Sequence, residues 1–316
     1  MNNFASNATR LWIKYGLLVI AVGSVLSIAW FLLTIIYAPA VPAPVAQRKP
    51  AMHQKLATGE TTLFPHARLV ALYGAPDTPA LGALGEQSMA QTFKKIRQIA
   101  RSYQPHTKQK VYPALEIIAT VAAAEPTANN DYSREFDMRT LERWVRTAET
   151  AGIYVVLDLQ PGRSDFLTQA KLFEKLLRYP HVGLALDPEW RLSKKQHHLE
   201  QIGSVKASEV NQTAAWLAGL VKRSELPQKL FLLHQFRDTM ITHREKLQAH
   251  PELAYVIQMD GHGAQSTKLS TWNAVRAGLP STIRMGWKNF YNEDLPMLSP
   301  AQTYRLTPVP WFVSYQ

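Results

Sequence analysis

From Arg68 onward the chain carries eight short apolar runs of strand length in series, separated by stretches of helical or loop character. The runs cover residues 69–73, 114–122, 154–159, 183–186, 230–234, 255–259, 283–287 and 311–314. Near-continuous apolar strands are buried on both faces, which is the habit of a parallel sheet covered by helices. Between them, residues 87–103, 138–151 and 168–178 have helical patterns, and 243–249 and 270–277 have shorter ones. In 210–222, Val210, Ala214, Leu217 and Val221 share one helix face, with Ser208 placed to cap it. Strands alternating with crossovers imply an α/β fold, and eight in one series favour a closed (β/α)8 TIM-type barrel over residues 63–316. An open doubly wound sheet is the alternative. The last unit departs most, since 288–310 is rich in proline. The given chain stops on the eighth run, so the final helix is expected to be absent or replaced by the segment before Arg68.

Ahead of the barrel lies a different kind of sequence. No charged residue occurs between Lys14 and Arg48, and 16–37 is almost wholly apolar. A bilayer core is crossed by roughly 20 such residues in a helix, so 15–37 is expected to be one N-terminal transmembrane helix. Arg10 and Lys14 before it favour a cytoplasmic segment 1–14 and an extracytoplasmic remainder. Ala38-Pro39-Ala40 imitates a signal-peptidase site, but the apolar run exceeds the usual signal core of about 7–15 residues. Residues 38–62 open on Ala, Pro and Val and read as a semi-rigid stalk. The chain has no Cys, which excludes disulfides, thiolate metal sites and a Cys nucleophile. Its net charge of +11 is spread along the sequence and suits attraction to anionic wall polymers or lipid headgroups. No nucleic-acid-binding motif accompanies that charge, and none of the motifs implies a cofactor.

In a barrel of this kind the chemistry lies at the carboxyl ends of the strands. Those ends carry Tyr73, Glu116, Asp158, Asp187 with Glu189, His234 with Gln235, Asp260 with His262, and Trp287, while Trp311 opens the last strand. Asp187 and Glu189 follow the fourth run two residues apart, so both side chains point the same way at one strand end. Paired carboxyls there can hold one proton near neutral pH, as acid/base hydrolysis requires. Asp-Pro-Glu equally suits a strand-to-helix turn with Asp187 as its cap, and Asp158 equally suits a turn that bonds backbone amides. Glu116 interrupts an apolar run and requires a partner, for which Arg284 or a neighbouring Tyr qualifies. His234 suits a core histidine as well as a functional one. Gly261-His262-Gly263 has the character of a mobile loop, and His197-His198 reads as solvated. Trp144, Trp216 and Trp272 fall on helical patterns and read as packing residues. Acids with aromatics around one mouth favour a carbohydrate site.

The stretch Gly183-Leu-Ala-Leu-Asp187-Pro-Glu189 resembles the fourth-strand signature of the family 18 chitinase-type glycoside hydrolases, G-x-x-x-D-x-E. That resemblance implies Glu189 as general acid, Asp187 as its orienting partner, and a mechanism assisted by the substrate's N-acetyl group. It also implies roles for Asp260 at the sixth strand end and for Trp311 as a sugar-stacking residue. Val182 and Ala185 stand where the motif has two further acids, Met259 where a Tyr is expected, and Pro188 where an aromatic is usual. Three functions follow as expectations. One is a membrane-anchored glycoside hydrolase acting on a cell-surface or extracellular polysaccharide, with Glu189, Asp187 and Asp260 catalytic. In it Tyr73, Glu116, Asp158, His234, Gln235, His262, Trp287 and Trp311 bind substrate. The second is a metal-dependent hydrolase built from the same acids and histidines, although no His-Glu-x-x-His or first-strand His-x-His occurs. The third is a glycan-binding envelope scaffold without catalysis.

Overall fold

The computed structural model describes residues 54–316. The expected cytoplasmic segment 1–14, the anchor 15–37 and most of the stalk lie outside those residues, and among the described ones no helix is long and apolar enough to cross a membrane. Eight parallel strands close on themselves: β1 (Ala67–Gly74), β2 (Lys110–Ala122), β3 (Tyr154–Leu159), β4 (Val182–Leu186), β5 (Lys229–His234), β6 (Leu253–Met259), β7 (Arg284–Asn289) and β8 (Phe312–Tyr315). Each pairs with its successor, and β1 pairs with both β2 and β8, so the barrel has no free edge. This is a TIM-like barrel with every expected strand in place.

The crossovers are uneven. Helices α1 (Met89–Tyr103) and α2 (Met138–Ala151) follow β1 and β2, the latter after a short antiparallel strand Ser133–Glu135. The stretch expected as one helix over 168–178 is broken into α3 (Phe166–Leu172) and α4 (Glu174–Leu177). Helix α5 (Ala207–Arg223) follows β4 and begins earlier than expected, with Lys206 rather than Ser208 at its N-cap. Helix α6 (Gln265–Arg276) follows β6, and β7 leads to the single turn α7 (Pro300–Thr303). The helix expected over 243–249 is not there. His243 has a left-handed backbone (φ 58°), only a 3-10 turn follows, and Arg244 is drawn onto the carbonyls of Val275 and Ala277 at the end of α6.

Period-two alternation divides the side chains between two cores. Val70, Leu72, Leu115, Val155, Leu184 and Phe231 face outward to the helices, where Trp144 and Trp272 are fully buried as expected. Leu69, Ala71, Tyr112, Ala114, Tyr154, Val156, Leu230 and Leu232 form the lumenal core. Residues 54–66 close its amino end: Leu56 and Leu63 join the lumenal cluster, and the Leu63 and Phe64 amides donate to Gln228 Oε1. The end of the expected stalk therefore packs against the barrel. One step above the apolar layers, the inward positions turn polar.

A small residue enables one lumenal bond. Gly183 leaves space for the Tyr154 hydroxyl, which would stand 3.0 Å from a Cβ there. That hydroxyl accepts from the Leu230 amide at 3.0 Å, at the start of β5. Tyr154→Phe leaves this buried donor unpaired, and the expected cost is about 1–3 kcal/mol, read as a lower urea midpoint with an unchanged slope.

Candidate active site

The polar layer is organised around His234, the last residue of β5. Its parity with Leu230 and Leu232 aims the imidazole inward, and the side chain is fully buried. Nε2 lies 3.1 Å from Glu116 Oε1 and 3.5 Å from Asp158 Oδ1, and Nδ1 donates to Asp260 Oδ2 at 2.9 Å. Burial alone lowers the affinity of His234 for a proton. Asp158 first, then the contacts with Asp260 and Glu116, overturn that and hold it well above its ordinary pKa. In its protonated form it donates a hydrogen bond to Asp260 from Nδ1 and lies against Glu116 and Asp158 as a charge pair at Nε2. The partners expected for Glu116 are corrected here. Its cation is His234, while Arg284 lies exposed at the amino end of β7 beside Trp311.

The Tyr73 hydroxyl donates to Asp158 Oδ2 at 3.2 Å and accepts from Gln160 Nε2 at 3.3 Å. Burial, then the nearby carboxylates, raise its pKa well above the ordinary value, so Tyr73 stays neutral. Lys288 also enters the site, a residue that sequence reasoning passed over. It is buried, and its Nζ lies 3.4 Å from the Tyr73 ring centre.

Asp187 and Glu189 occupy the mouth beside this cluster. Asp187 is buried and its Oδ1 accepts from the Glu189 amide at 3.1 Å, so it does cap the 3-10 turn Pro188–Trp190. Burial raises its pKa well above the carboxylate range, with Asp158, Glu189 and Asp260 adding to the rise against His234. Glu189 is half-buried and pushed up to about 7 by burial and then by Asp260, against the pull of Lys288, His234 and Arg237. Two carboxyls two residues apart are thus both raised by burial, Glu189 to about 7. The turn is rigidly held. Arg191 forks onto Glu209 of α5 at 2.9 and 3.2 Å, and Gly203 packs so close that a Cβ would stand 2.6 Å from the carbonyls of Pro188, Glu189 and Arg191.

The remaining expected residues are distributed by strand parity. Gln235, next after His234, is buried but braces its own loop through the Arg237 carbonyl and Arg244. Trp287 points outward, 5.6 Å from Trp272 in the layer between barrel and helices. Trp311 is at the opposite end of the barrel, stacked by Arg68 at 4.2 Å and Phe64 at 4.8 Å. His262 is exposed at the β6 exit, 5.5 Å from the Phe290 ring. Another group of aromatics gathers around His198. Trp190 and Tyr132, both half-buried, flank His198 at 5.8 and 6.3 Å. Arg163 lies 3.8 Å above the Tyr132 ring. His198, expected to be solvated, is half-buried against this row with Nε2 3.2 Å from the Tyr132 carbonyl.

Both His234 nitrogens face carboxylates, and among the described residues no group of three His, Asp or Glu side chains is arranged to hold a metal ion. What the cluster offers is acid/base chemistry and hydrogen-bond acceptors. Asp260 Oδ1 and both Glu116 oxygens are buried without a hydrogen bond within the protein. The sequence matches no family model and no curated protein. The fold defines its class: a TIM-like barrel, an architecture on which many enzymes are built, with buried ionisable groups at the carboxyl ends of its strands.

Removing the central cation should be costly. His234→Gln leaves Glu116, Asp158 and Asp260 facing one another, with an expected loss of about 3–5 kcal/mol in urea unfolding at pH 7. In the parent protein the raised groups bind protons more tightly when folded. The contribution of Glu189 is thus lost between about pH 4.3 and 7. That of His234 is present in full below about pH 6.5 and lost as pH rises through its higher folded value.

Proposed function

We propose that the protein is a glycoside hydrolase in which Glu189 is the general acid. The observation that carries this reading is the Asp187–Glu189 pair at the β4 exit, where Glu189 is half-buried and pushed up to about 7 beside a carboxyl that burial also raises. A general acid works best with a pKa close to the working pH, and Glu189 meets that condition with access from the barrel mouth. It gives its proton to the leaving glycosidic oxygen as water adds at the anomeric carbon. Asp187 orients it by accepting its amide proton. Asp260 is fixed by His234 through one oxygen and offers the other to the reacting water or to a substrate amide. Trp190, next in sequence to the acid, and Tyr132, which shares His198 with it, are half-exposed aromatics of the kind on which sugar rings stack.

In this reading residues 15–37 anchor the protein in a membrane and hold the barrel on its outer side, where a cell-surface or extracellular polysaccharide is the substrate. The positive net charge suits anionic wall polymers. The test is product release from chitin oligomers, peptidoglycan and a panel of other polysaccharides by the full-length protein, followed by mass spectrometry. Glu189→Gln is expected to reduce turnover by about 10²–10⁴-fold while substrate binding persists. Parent activity should fall as pH rises through about 7, because the acid must be protonated. Binding by a folded parent without cleavage of any glycan would replace this reading with the scaffold. Cleavage untouched by the substitution would place the acid elsewhere.

A further inference from the structure

Among the described residues, the Lys288 ammonium has neither a hydrogen bond nor an ion pair. Lys288 follows Gly286 on the inward face of β7, 4% exposed, and lies against the rings of Tyr73 at 3.4 Å and Phe290 at 5.3 Å. By contrast, Glu116, Asp158 and Asp260 all contact His234. Resting on aromatic faces, the ammonium leaves its hydrogen-bond donors free for solvent or a ligand. Its backbone is held in position. Buried Lys268 donates to the Lys288 carbonyl at 2.7 Å and pairs with Asp294, which also accepts from the Phe290 amide at 2.9 Å and the Gly263 amide at 3.0 Å. The exits of β6 and β7 are thereby tied together, which fixes the backbone from which the Lys288 side chain extends.

Lys288 and Arg237 are both near enough to act on Glu189, so positive charge stands on the side of the site where the acid works. The layer thus pairs a general acid with a preset, unneutralised cation. Resting on the glycosidase reading above, we infer that the substrate is an acidic glycan and that Lys288 receives the carboxylate of the sugar bound beside Glu189. In a uronic acid that carboxylate is attached to C5, separated from the anomeric carbon only by the ring oxygen. A cation close enough to influence the proton donor suits those two positions on one sugar ring. A carboxylate supplies the charge-assisted acceptors the ammonium lacks. A neutral hexose leaves it uncompensated, and that difference is a source of specificity.

The test separates recognition from turnover. Full-length parent protein, Lys288→Met, Lys288→Arg and Glu189→Gln are titrated by NMR with D-glucuronate, D-glucose and inorganic phosphate, with circular dichroism confirming that each is folded. The parent and Glu189→Gln are expected to bind glucuronate at least about tenfold more tightly than glucose, an increment within the range of one charge-assisted hydrogen bond. Lys288→Met should lose that preference with glucose binding unchanged, and Lys288→Arg should keep part of it. Equal binding of the two sugars, binding of neither, or a preference that survives Lys288→Met would overturn the inference. Phosphate competing as strongly as glucuronate would overturn the assignment to a carboxylate. A carboxylate preference lost in Lys288→Met, in a protein that cleaves no glycan, would support the recognition role while the hydrolase reading fails.

Discussion

The imidazolium of His234 is the constraint on which the rest of the site depends. The lumenal end of a barrel is a poor solvent for charge, yet β2, β3, β4 and β6 each send a carboxyl group into it. One ring with a nitrogen at each end reaches across the barrel: Nε2 toward Glu116 and Asp158, Nδ1 toward Asp260. It therefore connects β2 and β3 on one side to β6 on the other, through a layer where apolar packing has stopped. Such a cluster adds little stability compared with hydrophobic residues of the same volume, since desolvation offsets most of the attraction. It sits at the carboxyl ends of the strands, where enzymes built on this fold carry their active sites.

Charge balance also explains why the two mouth carboxyls differ. His234 neutralises only part of the negative charge gathered around it. Asp187, buried among Asp158, Glu189 and Asp260, is raised well above the carboxylate range. Glu189 is further out, partly solvated and within the influence of Lys288, so its rise is smaller and stops at about 7. Environment rather than residue type assigns the roles, as in other sites where two carboxyls divide the work of acid and stabiliser.

The fold was legible in the sequence because strands buried on both faces appear as apolar runs, and all eight were located within a few residues of their ends. The fifth crossover was not, because its conformation is set by Arg244 reaching the distant carbonyls of Val275 and Ala277. Within the site, the errors follow parity. Adjacent strand residues point to opposite faces, so His234 and Gln235 could not both line the lumen, nor could Trp287 and Lys288. Counting back from Leu232 identifies His234, and counting from Gly286 identifies Lys288; choosing the aromatic Trp287 selected the outer face. Trp311 illustrates a second limit. It opens its strand, and in a parallel barrel that places it at the amino end, away from every carboxyl-end group.

Asp187 shows that a structural role and a chemical one need not compete. It caps a turn, as a bland interpretation of Asp-Pro-Glu suggests, and the hydrogen bond that does so comes from the Glu189 amide itself. The cap therefore sets where the acid stands. The same turn is held from below by Arg191 on Glu209 and from the side by Gly203, whose bare Cα lets three carbonyls crowd around it. Capping, ion pairing and close backbone approach are ordinary means of fixing a loop. Here all three converge on one turn of three residues, and the half-buried carboxyl it carries is the one whose proton is exchangeable near neutral pH. A turn needed only to reverse the chain requires none of that restraint, whereas a proton donor loses much of its effect if it is displaced by about 1 Å.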